Sequence, residues 1–159
     1  HGRGATLPDW RFDTDRQHWH YRIVDGAGKD SPTDAGWPIK EYIQLDLAKD
    51  GIAAISPPTL WRADDAPVLH IEAAFKTSQQ KSRIAWTTYK TGHHNHEYSP
   101  ENSMEFDIIG DGQFRTYTVD LSSVSSYTGA LSYLMFKPVS KGEQGGWVKV
   151  KRIWFGRQP

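Results

Sequence analysis

Ser103-Met-Glu-Phe-Asp-Ile-Ile109, then Gly110-Asp-Gly112, then Gln113-Phe-Arg-Thr-Tyr-Thr-Val-Asp-Leu121 is the stretch that decides the fold class. Met104, Phe106 and Ile108 alternate with Glu105 and Asp107, the two-residue period of a strand with one buried and one wet face. Tyr117, Val119 and Leu121 repeat the alternation against Thr116, Thr118 and Asp120. The glycines between the two runs tolerate positive φ, as a tight hairpin requires. The spacing therefore predicts a β-hairpin, feeding a third strand at Leu131-Ser-Tyr-Leu-Met-Phe-Lys-Pro-Val139.

Outward from that stretch the same period recurs. Val68 to Lys76 places Leu69, Ile71, Ala73 and Phe75 inward, with His70, Glu72 and Lys76 outward. Shorter strands are predicted at Trp10 to Phe12, His18 to Val24, Tyr42 to Leu47, Ile52 to Ile55 and Arg83 to Tyr89. In the last strand, Trp147 to Phe155, the apolar positions Val148 and Val150 then Ile153 and Phe155 slip by one residue, which predicts a bulge near Lys151-Arg152. Helical periodicity is nowhere sustained; Ile39 to Lys49 is the one stretch with room for a helical turn. Many short strands separated by Gly, Pro and Asp turns define an all-β chain, an antiparallel β-sandwich of jelly-roll type. Residues 1–159 read as a single domain, with 1–8 a loose entry and 25–38 the longest loop.

Composition narrows the function classes. Lysine plus arginine equals aspartate plus glutamate at 19 each, so no bulk field attracts nucleic acid or an anionic membrane. Cysteine is absent, which removes disulfides, thiol chemistry and zinc-thiolate sites together. No apolar run approaches the roughly 18–20 residues that span a bilayer. No signal peptide is recognisable, and the chain reads as a mature or excised piece, expected to be monomeric. Seven Trp, seven Tyr and six Phe exceed what a core of this size needs, so some rings are expected to face solvent.

Trp10-Arg-Phe-Asp-Thr-Asp15 with Trp19, Ser56-Pro-Pro-Thr-Leu60, Ala66-Pro-Val-Leu-His-Ile71 and Gly110 through Ser122 carry a resemblance, together with the Gly129 to Pro138 strand and the closing strand. The chain resembles the jelly-roll carbohydrate-binding modules appended to bacterial enzymes that degrade polysaccharides, from about residue 10 to 155. The resemblance implies a secreted, non-catalytic module that binds a polysaccharide or oligosaccharide and is covalently linked to a catalytic domain. It implies no required cofactor. Relatives often place an arginine and an aspartate where Met135 and Lys137 stand here. An acid of the last strand, which in relatives helps hold a structural calcium, is replaced by Lys151; Asp13, Asp15 and Asp107 remain as possible oxygen ligands.

A sugar platform needs exposed rings to stack on pyranose C–H faces, with polar side chains for the hydroxyls. Trp37, Trp61, Tyr89 and Tyr98 lie in or beside predicted loops and are the ring candidates, whereas Trp10, Trp86 and Trp147 are assigned to the core. His70, Glu72, Arg83, Glu105, Tyr133 and Lys137 fall on outward positions as a hydrogen-bonding floor, with Arg83 and Lys137 able to receive an acidic group. His93-His94-Asn-His-Glu97 offers rim contacts through His93 and His94, or imidazoles for a transition metal. For each of these residues, taken singly, the competing assignment is ordinary: edge-capping rings, cross-strand ion pairs, a polar loop. Other readings of the chain are a polysaccharide-active lyase or hydrolase, using pairs such as Asp64-Asp65 or Glu105 and Asp107, a copper monooxygenase built on His1, or a spacer module without sugar binding.

Overall fold

The computed structural model describes residues 7–12, 20–23 (backbone only), 41–88 and 99–156. Among the described residues eleven strands follow in order: β1 (Asp9–Arg11), β2 (His20–Ile23), β3 (Ile43–Asp46), β4 (Ile52–Ile55), β5 (Trp61–Arg62), β6 (Val68–Lys76), β7 (Lys81–Thr88), β8 (Ser103–Asp107), β9 (Asp111–Asp120), β10 (Ala130–Lys137) and β11 (Trp147–Gly156). They form two antiparallel sheets. One is five-stranded, in the order β1-β11-β6-β9, with β3 also paired to β11. The other is six-stranded, β2-β4-β10-β7-β8, with β5 also paired to β10. Among the described residues no helix is long and apolar enough to cross a membrane. The β-sandwich follows as expected, and the segment Ile43–Asp46 is strand rather than a helical turn.

The two sheets enclose one main core. Leu69, Ile71, Ala73 and Phe75 of β6 are fully buried, and Phe75 meets Phe136 of the opposite sheet edge to face at 6.1 Å. Each such Leu, Ile or Phe contributes about 1.5–3 kcal/mol on burial, which is what fixes the register of the alternating strands. Trp10 and Trp86 lie in this core, as the sequence suggests. The bulge is also where the slipped pattern puts it: Val150 pairs with Ala73 and Arg152 with Glu72, leaving Lys151 as the extra residue.

The hairpin is not found. β8 pairs with β7 in the six-stranded sheet, and β9 pairs with β6 in the five-stranded sheet. Residues 108–110 therefore cross from one sheet to the other, alongside residues 77–80, which carry β6 into β7. The two crossings are stitched by Thr77 N–H donating to Gly110 O at 3.3 Å and Ile108 N–H donating to Gln80 O at 3.0 Å. Alternation fails to separate the two topologies because both sheets turn their apolar faces toward the same interior. Gly112 has the expected positive φ of 82°. Gly110 serves a different end: a Cβ there would stand 1.9 Å from the Thr77 carbonyl oxygen, so only a bare backbone fits.

Three side chains differ in burial from the sequence reading. Trp61, a ring candidate, is 4% exposed within the core on the short β5. Trp147, assigned to the core, is half-buried on the outer face of the five-stranded sheet. His70 does point outward from β6, yet it is fully buried there; Nδ1 lies 3.1 Å from Thr118 Oγ1, and the ring packs on Trp154 at 5.1 Å.

Candidate functional site

The outward stripe divides between the two sheets. His70 and Glu72 belong to the five-stranded sheet, whereas Arg83, Glu105, Tyr133 and Lys137 share the outer face of the six-stranded one. Their meeting is a matter of register. Lys137 of β10 pairs with Arg83 of β7, and Arg83 pairs with Glu105 of β8, so three charged residues form one rung across three strands. The next rung is smaller and less polar: Met135, Ala85 and Ser103. Met135 and Ala85 join Ala53 and Ile55 in a second, minor cluster of buried residues, with Tyr133 half-buried against it.

Arg83 is held in place by two contacts. One terminal nitrogen donates to Ser103 Oγ at 2.7 Å and the other to Glu105 Oε2 at 3.2 Å. A guanidinium has five N–H donors, so part of its fork remains to meet an incoming oxygen. Lys137 is 6% exposed where it lines the site, and its carbonyl accepts from Ser82 Oγ at 3.2 Å. Lys81 and Asp107 form an exposed ion pair beside the rung. Between these strands and the loops at their ends lies a cleft of about 500 Å³, with Arg83, Glu105 and Lys137 on its floor and Gln79, Gln80 and Ser140 along one wall.

That wall is laced together by one carboxylate. Glu143 accepts from Thr77 Oγ1 at 2.7 Å and from the Ser78 backbone N–H at 2.9 Å, and Gln79 Nε2 donates to Lys141 O at 2.8 Å. The Thr77 hydroxyl first, then the Ser78 amide, holds the Glu143 carboxyl below the usual glutamate range against a small opposing effect of burial. A depressed folded-state pKa adds stability above the unfolded value and loses it as pH falls through the folded one. Wild type is therefore expected to lose thermal stability more steeply than Glu143→Gln as pH falls below the ordinary glutamate value of about 4.3, as read by melting curves at each pH. Parallel slopes would show that Glu143 does not anchor the wall.

Of the nominated residues, the structure brings Arg83 and Lys137 together and removes Trp61. Trp37, Tyr89, His93, His94 and Tyr98 lie outside the described residues, as do Asp13 and Asp15. Asp107, the third proposed calcium ligand, is engaged by Lys81. Among the described residues there is no group of three or more His, Asp or Glu able to hold a metal ion. Glu105 and Asp107, the carboxylate pair weighed for hydrolysis, each face a cation on the neighbouring strand β7. Gln79, Gln80 and Ser140 are additions that sequence reasoning did not make. The signal for Gln79 and Gln80, a four-residue polar link between two strong strands, acquires meaning only once both ends are placed.

No family model matches the chain, and no curated protein does. Solved structures match nearly its whole length. It is similar to the low-affinity xylan-binding module CBM86 from the gut symbiont Roseburia intestinalis, at 14% identity and TM-score 0.51, covering 96% of each chain. It is similar to the xylan-binding module CBM15, at 13% identity and TM-score 0.54, covering 97% of this chain and 100% of that one. The K1 cleaved adhesin domain of Lys-gingipain from Porphyromonas gingivalis matches at 16% identity and TM-score 0.54, over 98% and 100%. The chain thus has the β-sandwich fold of carbohydrate-binding modules.

Proposed function

We propose that this chain is a non-catalytic carbohydrate-binding module, part of a secreted bacterial protein in which it holds a linked polysaccharide-degrading enzyme on its glycan. The observation that supports this most is the Lys137–Arg83–Glu105 rung, set in an open cleft on the outer face of a sheet, in a fold shared with two xylan-binding modules. Arg83 and Lys137 donate to sugar hydroxyls or ring oxygens, Glu105 and the Gln79 and Gln80 amides complete the hydrogen bonding, and no bond is broken. Modest affinity suffices, because a tethered enzyme gains effective concentration from each binding event.

Affinity electrophoresis against xylan and a panel of other neutral and acidic polysaccharides tests the reading. Wild type is expected to be retarded by at least one polymer. Arg83→Ala is expected to weaken that binding about tenfold, the worth of one charge-assisted hydrogen bond, and Lys137→Met to weaken it similarly. Two variants that fold and bind like wild type would remove the cleft as the site. A wild type that no polymer retards would leave a spacer, and new reducing ends or unsaturated products would make the chain an enzyme.

A further inference from the structure

The bulge in β11 has a chemical result on the other side of the sandwich. Val150 and Ile153 both point into the core, so the two residues between them, Lys151 and Arg152, both face outward. With Lys149, three cations and the indoles of Trp147 and Trp154 then line the outer face of a single strand. Tyr42, just before β3, and Phe114 of β9 reach over the same face. Their rings stand 6.3 Å apart, with room given by the buried Ala74, which pairs with both Lys149 and Phe114.

The cations are not equivalent. Arg152 is fixed by a bidentate contact to Asp9, at 2.9 and 2.8 Å, and lies over Trp154. Lys149 and Lys151 have no carboxylate partner among the described residues. The Lys149 ammonium sits 4.7 Å from the Trp147 ring and 5.0 Å from the Tyr42 ring, and that of Lys151 sits 4.2 Å from the Phe114 ring. A ring face at an exposed position holds an ammonium by only about 0.5–1 kcal/mol, less than a charge-assisted bond to a carboxylate. An incoming carboxylate can therefore draw each lysine aside and uncover the ring beneath.

We propose that the outer face of the five-stranded sheet is a second binding surface, for a polysaccharide whose sugars carry carboxylates. A uronic acid chain offers both things this face takes, C–H faces for Trp147, Tyr42 and Phe114 and carboxylates for Lys149 and Lys151. Nucleic acid fits less well: the chain has no net charge, and Asp46 and Glu72 stand on the same face against a dense run of phosphates. The surface is separate from the Arg83 cleft and holds whether or not that cleft binds a glycan.

Native gels containing polygalacturonate, the same polymer with its carboxylates methyl-esterified, or double-stranded DNA test the proposal, each mobility being referred to a polymer-free gel. Polygalacturonate is expected to retard wild type, and the Lys149→Gln/Lys151→Gln double variant is expected to bind it about tenfold more weakly. Arg83→Ala is expected to bind it as wild type does, which separates this face from the cleft. Equal binding by the double variant, equal retardation by the esterified polymer, or DNA binding of the same strength and lysine dependence would each overturn it. So would a wild type that polygalacturonate leaves unretarded.

Discussion

Trp61→Ala is expected to destabilise the fold by about 3–5 kcal/mol, the range for truncating a large ring inside a packed core. Trp61 touches Trp10 edge to face at 6.3 Å and Phe155 at 5.5 Å, so its removal opens a void between the sheets rather than a dent in the surface. It also breaks a buried chain of hydrogen bonds. The indole Nε1–H donates to Tyr127 Oη at 3.1 Å, and the Tyr127 hydroxyl donates to Ala66 O at 2.7 Å. Burial pushes the Tyr127 phenol well above its ordinary range, so it remains a neutral donor throughout physiological pH. Urea unfolding gives the stability change. Polysaccharide binding by Trp61→Phe, which keeps an aromatic ring in the core, should match wild type. A Trp61→Ala protein that is as stable as wild type but no longer binds would return this ring to the ligand surface.

Gly110→Ala is expected to cost about 1–3 kcal/mol, the usual range for forcing an extra carbon into a filled space. The clash is with the Thr77 carbonyl oxygen, which is backbone and has no rotamer in which to retreat. Relief requires the two sheet crossings to part, which strains the Thr77–Gly110 and Ile108–Gln80 bonds together. Gly129 is the informative control, since a Cβ there meets nothing within 4 Å while its φ is +72°. Gly129→Ala should therefore cost only the roughly 1–2 kcal/mol of a left-handed backbone. A Gly110→Ala protein that melts like wild type would mean the crossings are looser than the 1.9 Å approach implies.

These two residues also mark where sequence reading stops. The period of two located β6 to the residue, and the slipped apolar positions located the bulge, because burial of one strand face is written locally. Which strands become neighbours is not written locally. Met104 and Phe106 of β8 and Val119 of β9 enter the same core from opposite sheets, so adjacency in the chain was misleading. β5 has two residues, too few for any period to show, and its position beside a Pro-rich stretch disguised a core tryptophan as a loop one. For the cleft, the outward directions of Arg83 and Lys137 were legible, but their meeting on one rung depends on the pairing of β7 with β10, which joins residues 54 positions apart in the chain. The surplus rings were sought in loops. Trp147, Trp154, Tyr42 and Phe114 instead sit on an outer sheet face, Trp154 because the one-residue insertion in β11 reverses the facing of the residues beyond it.

That same strand bears on how the molecule comes into being. β11 is the neighbour of β1, β3 and β6, so during synthesis those three wait for the latest strand to leave the ribosome before the five-stranded sheet can knit. Until then their open flanks are exposed to any passing chain, a hazard prolonged by the slow, millisecond-to-second folding of topologies rich in non-local pairings. The bulge lies on that last-arriving strand with Lys149, Lys151 and Arg152, where like charges discourage nascent copies from joining one another in its place.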